Sequence, residues 1–255
     1  MYGDSLDEKL DEMERLGIGG LEPSGTRLYE RIEEIESALK GRSVKISAVC
    51  SGFNGFMLST DQKVYNEFIA SYKRIIEAAG ALGSIGVIMV PGFNFQQPAR
   101  PHTQETRDFM VEELRMLGEF AASHNTSVIL EPLMHKESFF LRQVGDAARI
   151  CRDVASPGVK CMGDFWHMTW EEANDDGALI SARNHLAHIH IASRRQRDLP
   201  SVDGDADNYI DGFAALKRLN YQGEISFECY TKTDKRPTLP NAIALIKKQW
   251  EKAQP

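Results

Sequence analysis

Amphipathic helices and short apolar strands alternate along this chain with a regularity that leaves few folds open. Leu6, Leu10, Met13 and Leu16 share one face of a helix that opens with a capping box, Ser5 and Glu8, and stops at Gly17. The apolar stretch from Ile18 to Leu21 follows at once. Leu28, Ile32, Ile35 and Leu39 repeat the helical spacing, and Val44 to Cys50 then alternates as a strand does. The same pattern recurs: helical Val64 to Ile75 before Val87 to Val90, Phe109 to Ala122 before Ser127 to Glu131, and Val144 to Val154 before Val159 to Asp164. Thr169 to Asn184 then leads to Leu186 to His190, Tyr209 to Leu219 leads to Glu224 to Glu228, and Ala242 to Trp250 forms a last amphipathic helix.

Units of roughly thirty residues that alternate in this way predict a parallel sheet covered by helices. At 255 residues a (β/α)8 barrel leads, with a doubly wound open sheet as runner-up. No strand is followed by the glycine-rich loops that cradle dinucleotides or nucleoside triphosphates, so those cofactor classes are excluded. The pattern yields eight helices but only seven strands, and the strand that belongs before Ser5 is short or missing. Three arrangements fit: a chain that begins downstream of a natural first strand, an incomplete barrel, or a gap filled by another segment or subunit. Glycine and proline are scattered singly with no linker-like stretch, so residues 1–255 are expected to form one domain.

With 42% hydrophobic and 26% charged residues the chain can bury a substantial core, and no apolar run is long enough for a membrane helix. The opening Met1 to Glu8 is acidic and polar where a targeting signal would be basic and then apolar, which points to a cytoplasmic location. A net charge of −7 argues against nucleic acid or anionic membrane as the main partner. Cys50, Cys151, Cys161 and Cys229 lack metal-site spacing and disulfide density, and read as reduced thiols.

The chemistry lies at strand ends. Glu131, Asp164, His190 and Glu228 each close a predicted strand, and in a parallel barrel all those ends open on one face. Period-two alternation sets each on the inward side of its strand, with Ile129, Met162, His188 and Ser226 one layer below. Three carboxylates so close would raise one another's pKa unless a cation or a shared proton compensated. Three oxygen donors and one imidazole suit Mn²⁺, Mg²⁺ or Co²⁺, with Zn²⁺ still open.

The segments Leu130 to Leu133, Gly163 to Met168, His188 to Ala192, Arg197 to Pro200 and Phe227 to Cys229 resemble the motifs of the xylose isomerase-like TIM-barrel superfamily. Within it they are most similar to the sugar phosphate isomerase/epimerase branch of ketose 3-epimerases and hydroxypyruvate isomerases. Spacings of 33, 26 and 38 residues between the four strand-end groups agree with that branch. The resemblance implies one divalent metal, Mn²⁺ ahead of the others, held by Glu131, Asp164, His190 and Glu228. It also implies that Glu131 and Glu228 act as acid and base on opposite faces of a bound ketose, through a cis-enediolate beside the metal. His167 matches a substrate-binding histidine, Arg197 an arginine on the sugar oxygens, and Glu137 an acidic residue near the reacting part of the substrate. Arg194 and Arg195 compete with Arg197 for its role. The stretch Met134-His135-Lys136 departs from the family, and His135 reads as either a substrate contact or a solvated loop residue. His188 reads as a hydrogen-bonded core histidine, and His102, His124 and His185 as helix-end residues. Phe53, Phe56, Phe93 and Phe95 are candidates for apolar walls at the barrel mouth.

The implied activity is therefore that of a metal-dependent sugar isomerase or epimerase acting on a ketose or related hydroxy-ketone. A dehydratase of the inosose or dehydroshikimate type, sharing the same opening proton abstraction, is the alternative enzyme class, and a non-catalytic sugar-binding protein is the alternative outside enzymes. An abasic-site endonuclease of the same superfamily would need further histidines and a basic face, which this sequence lacks. The implied partner is a small sugar or polyol-derived ketone, and relatives of this kind are commonly homodimers or homotetramers.

Overall fold

The computed structural model describes residues 1–255. Helix α1 (Leu6–Leu16) is framed as its sequence predicts. Ser5 Oγ accepts the Glu8 N–H at 3.2 Å, the Glu8 carboxylate accepts the Ser5 N–H in return, and Gly17 ends the helix in the left-handed conformation. The chain continues through β1 (Gly20–Leu21), α2 (Ile32–Leu39), and the paired halves β2 (Lys45–Ile46) and β3 (Val49–Cys50) of one extended run. That run is predicted as a single strand, and it divides because its two sides serve different neighbours. Ser47 N–H donates to Leu21 O on one side, while Val49 N–H donates to Gly86 O on the other.

After α3 (Gln62–Ala81) come β4 (Val87–Met89), α4 (Gln104–Ser123), β5 (Val128–Leu130), α5 (Val144–Val154), β6 (Val159–Asp164), α6 (Phe165–Glu171) and α7 (Asp175–Ala182). The chain finishes with β7 (Leu186–Ile191), α8 (Ile210–Arg218), β8 (Ile225–Phe227) and α9 (Lys235–Lys252). Strands β3 to β8 lie side by side in chain order, all parallel, and β1 extends the wall by pairing with β2. This is the wall of a TIM barrel in which the position before α1 carries no strand. Ala48, Ile88, Ile129 and Met162 fill its interior, and the larger core packs the outer face of the sheet against the helices.

One predicted helix is two. The span from Thr169 to Asn184 is not one helix: Asp164, upstream of it, caps α6 by accepting the Trp166 N–H at Oδ1 (2.8 Å), and Asn174 within it starts α7 by accepting the Gly177 N–H at Oδ1 (2.7 Å). Helix α9 also begins earlier than Ala242, at Lys235, where Asp234 caps it and Pro240 interrupts the apolar spacing.

The ring stays open between β8 and β1, which do not pair. Lys45 and Ser47 N–H groups donate to Gly19 and Leu21 carbonyls, so Gly20 and Glu22 turn their backbone groups toward the gap. On the other lip Glu228 N–H donates to Ile191 O, so Ile225 and Phe227 turn theirs toward it as well. Met1, Met13, Ile18, Leu239 and Ile246 help to line the resulting groove, a cavity of about 440 Å³. No helix is long and apolar enough to cross a membrane.

Candidate active site

All four strand-end groups converge at the C-terminal mouth of the wall. Glu131 follows β5 directly, Asp164 is the last residue of β6, His190 lies one residue before the end of β7, and Glu228 follows β8. Asp164 and His190 face each other in the β6–β7 register. The ligand-type atoms of Glu131, Asp164, His190 and Glu228 all lie within 4.8 Å of one another. His190 Nδ1 is 3.5 Å from Glu131 Oε1 and 3.4 Å from Glu228 Oε2.

Burial and charge separate these groups. Desolvation, then the negative charge of Glu228, push Glu131 up to about 7 and Asp164 up to about 6. Burial also opposes ionisation of Glu228, but the hydrogen bonds and charges of His190 and Arg197 outweigh it and hold Glu228 down to about 2. His190 is raised although burial disfavours its cation, because Glu22, Glu131 and Glu228 surround it.

Whether a cation fits here is answered by the atoms left without partners. Glu131 Oε1, Asp164 Oδ2 and His190 Nδ1 are buried, unpaired and aimed at one point. Orphaned buried polar atoms are costly, and a divalent ion in place of the His190 Nδ1 proton would satisfy all three at once. The donor set, three carboxylates and one imidazole, suits a hard or borderline cation.

Two further groups crown this cluster. Buried His167 accepts the Met134 N–H at its Nδ1 (3.1 Å), so its proton sits on Nε2, which points to within 3.5 Å of Asp164 Oδ2. Burial, then the charge of Arg197, push its pKa down to about 3, and the ring is neutral. Arg197, in a left-handed backbone conformation, pairs with Glu228 and lies 3.6 Å from both Asp164 and Glu137. Its guanidinium is sandwiched between the rings of Trp166 (4.4 Å) and Tyr230 (4.8 Å). The loop that carries it is fixed by Ser193 N–H to Asp198 O and Tyr230 N–H to Arg197 O, both 2.7 Å.

The competing arginines are elsewhere. Arg194 is buried against Phe165 O, Thr169 and Asp175, tying helix α6 to α7, and Arg195 lies in an exposed turn against Asp203. Glu137, half-buried, sits on the far side of Arg197. His135 is half exposed and turned to Glu171, its Nδ1 2.5 Å from Oε1. Phe53 packs into the core against Phe68 and Tyr72 and Phe56 is buried, whereas Phe93 and Phe95 stack at the rim with Phe95 80% exposed. The four cysteines are free thiols, and burial raises the Cys50 thiol beside Glu228.

One residue is absent from the sequence reading. Glu22 closes β1 as Glu131 closes β5, and its carboxylate spans His188 Nε2 (2.7 Å) and His190 Nε2 (2.9 Å). Its position directly after an apolar strand pair was the available signal.

The fold and this mouth define a class, and the chain belongs to it: residues 10–249 match the xylose isomerase-like TIM barrel family. Among curated proteins the chain is 28% identical to the 3-dehydro-D-guloside 4-epimerase of Escherichia coli K12 over 89% of this chain and 88% of that one. It is 26% identical to a probable ketose 3-epimerase of Synechocystis, over 88% and 78%. Among solved structures the apo 3-keto-D-glucoside 4-epimerase YcjR of E. coli superposes with a TM-score of 0.87 at 26% identity, covering 97% of this chain and 96% of that one.

Proposed function

We propose that this protein is a divalent-metal-dependent epimerase of keto-sugars, inverting a carbon next to a carbonyl by removing and returning a proton. The observation that carries the reading is the convergence of Glu131, Asp164, His190 and Glu228, three of them with orphaned buried atoms at one point. Both the ketose 3-epimerase and the 4-epimerases of 3-keto glycosides among its relatives are named for inversion beside a ketone. A ketose or a 3-keto glycoside is therefore the substrate class.

These four residues would hold the cation, which would supply Lewis acidity for the substrate carbonyl. Glu131 and Glu228 have pKa values displaced in opposite directions, the pattern of an acid and base pair. Glu228, ionised near neutral pH, takes the proton from the carbon beside the carbonyl, leaving an enediolate. Glu131 returns a proton from the other face, and the stereocentre inverts. The Nε2–H of His167 and the guanidinium of Arg197 hydrogen-bond the oxygen on which negative charge develops.

Incubation with Mn²⁺ and a panel of ketoses and 3-keto glycosides in D₂O is the test. Deuterium enters the carbon beside the carbonyl of the accepted substrate, and Glu228→Gln abolishes that exchange. No exchange across the panel sinks the reading, and growth of an enone absorbance in its place assigns the protein to the dehydratases.

A further inference from the structure

The two candidate cation clusters of this mouth share His190, and they differ in how they are satisfied. In the group Glu131, Asp164, His190 and Glu228 the facing atoms of the first three lack hydrogen-bond partners, and Glu228 is held by Arg197. In the group Glu22, His188 and His190 every facing atom is paired: Glu22 Oε1 with His190 Nε2 and Glu22 Oε2 with His188 Nε2. A carboxylate only accepts, so each imidazole presents its Nε2–H to Glu22. The second group is therefore a closed hydrogen-bond bridge, and the first is the open site.

That bridge determines which nitrogen of His190 is free. With Nε2 donating to Glu22, Nδ1 is the atom turned to Glu131 and Glu228, at 3.5 and 3.4 Å. His190 is fully buried, and the bond to Glu22 is the one side-chain hydrogen bond that holds its ring. We infer that Glu22 is a positioning residue for the cation site, orienting His190 and keeping its Nδ1 available as a ligand, with His188 as the second anchor that holds the Glu22 carboxylate in place. The inference rests on the metal reading above. Carboxylates that accept from the far nitrogen of a ligating histidine fix its orientation and raise its basicity, and their loss costs about 10–100-fold in metal affinity.

The test is the Mn²⁺ dissociation constant of the full chain, measured by competition with a chelator, with no substrate present. Glu22→Gln offers one acceptor where two rings donate, and weakens Mn²⁺ binding by about 10–100-fold at an unchanged stoichiometry. Glu22→Asp, shorter but still an anion, recovers part of the loss. A folded Glu22→Gln protein with the wild-type constant, or an Asp variant no better than Gln, overturns the inference. Should Glu22→Gln fail to fold, His188→Gln carries the test. Glu22 then keeps its bond to His190 but loses its second anchor, Mn²⁺ binding weakens by about threefold or more, at least roughly 0.7 kcal/mol, and a wild-type constant overturns the bridge. If the wild type itself takes up no Mn²⁺, Co²⁺ or Zn²⁺, the metal reading fails, an outcome distinct from a wild type that binds as its Gln variant does.

Discussion

Arg197 and Glu228 form a half-buried ion pair at the lip of the site, the guanidinium clamped between two aromatic rings while the carboxylate faces His190. The aromatic sandwich fixes the plane of the guanidinium and its hydrogen bond in turn fixes which oxygen of Glu228 points inward.

Replacing Arg197 by Lys keeps the charge and loses the fork and the stacking. Turnover is expected to fall by about 100-fold, the cost of one lost donor at a developing oxyanion. With the arginine gone the Glu228 pKa rises, so the acidic limb of the pH–rate profile moves to higher pH. Initial rates from pH 4 to 9 check both effects.

Replacing Asp164 by Asn leaves the cap on α6, since its Oδ1 still accepts the Trp166 N–H, and removes one anionic donor from the cation cluster. About one metal per chain is expected in the wild type after Mn²⁺ loading and much less in the variant, as read by elemental analysis. Equal metal contents would remove Asp164 from the ligand set.

In the metal-free protein the two raised carboxylates are expected to lose their stabilising contribution as pH rises from 5 to 8. Glu131 and Asp164 have folded-state pKa values near 7 and 6, above their unfolded values, so their contribution is full below about pH 4 and lost as pH climbs through 6 and 7. The lowered Glu228 acts in the opposite direction at acid pH, and the buried neutral His167 and His188 do so up to about pH 6.5, where the unfolded chain takes up protons that they do not. Mn²⁺ should therefore raise the melting temperature more at pH 8 than at pH 5, and calorimetry at both values decides it.

How much of this was legible in the sequence follows from which signals are local. The capping box at Ser5 and Glu8, the strand-end carboxylates and the interior positions of Ile129 and Met162 all follow from spacing within one element, and they reappear in the structure. The division of α6 from α7 depends on Asn174 acting as a cap inside an otherwise helical pattern, and apolar periodicity does not register a cap. Arg194 and Arg197 differ by three residues in a basic run. Only the turn that points one at Asp175 and the other at Glu228 separates them. Glu22 ends so short a strand that its partnership with two histidines more than 160 residues away emerges only in three dimensions.

Hydrogen exchange offers a separate check on the wall. Ile225 and Phe227 turn their amides away from β7 toward the groove, whereas β7 is paired on both sides. Their amides are expected to exchange at least about tenfold faster than those of β7. Equal protection would mean that the β8 edge is covered.

The open groove places Glu22 on one lip and Glu228 on the other, and the imidazole of His190 reaches both, through Nε2 and Nδ1. A closed ring of strands would hold such a trio rigid by its own hydrogen bonds. Here the two lips share no backbone bond, so one side chain is the crossbeam between them, and any ion seated against Glu228 and His190 acts as a clasp on a split hoop.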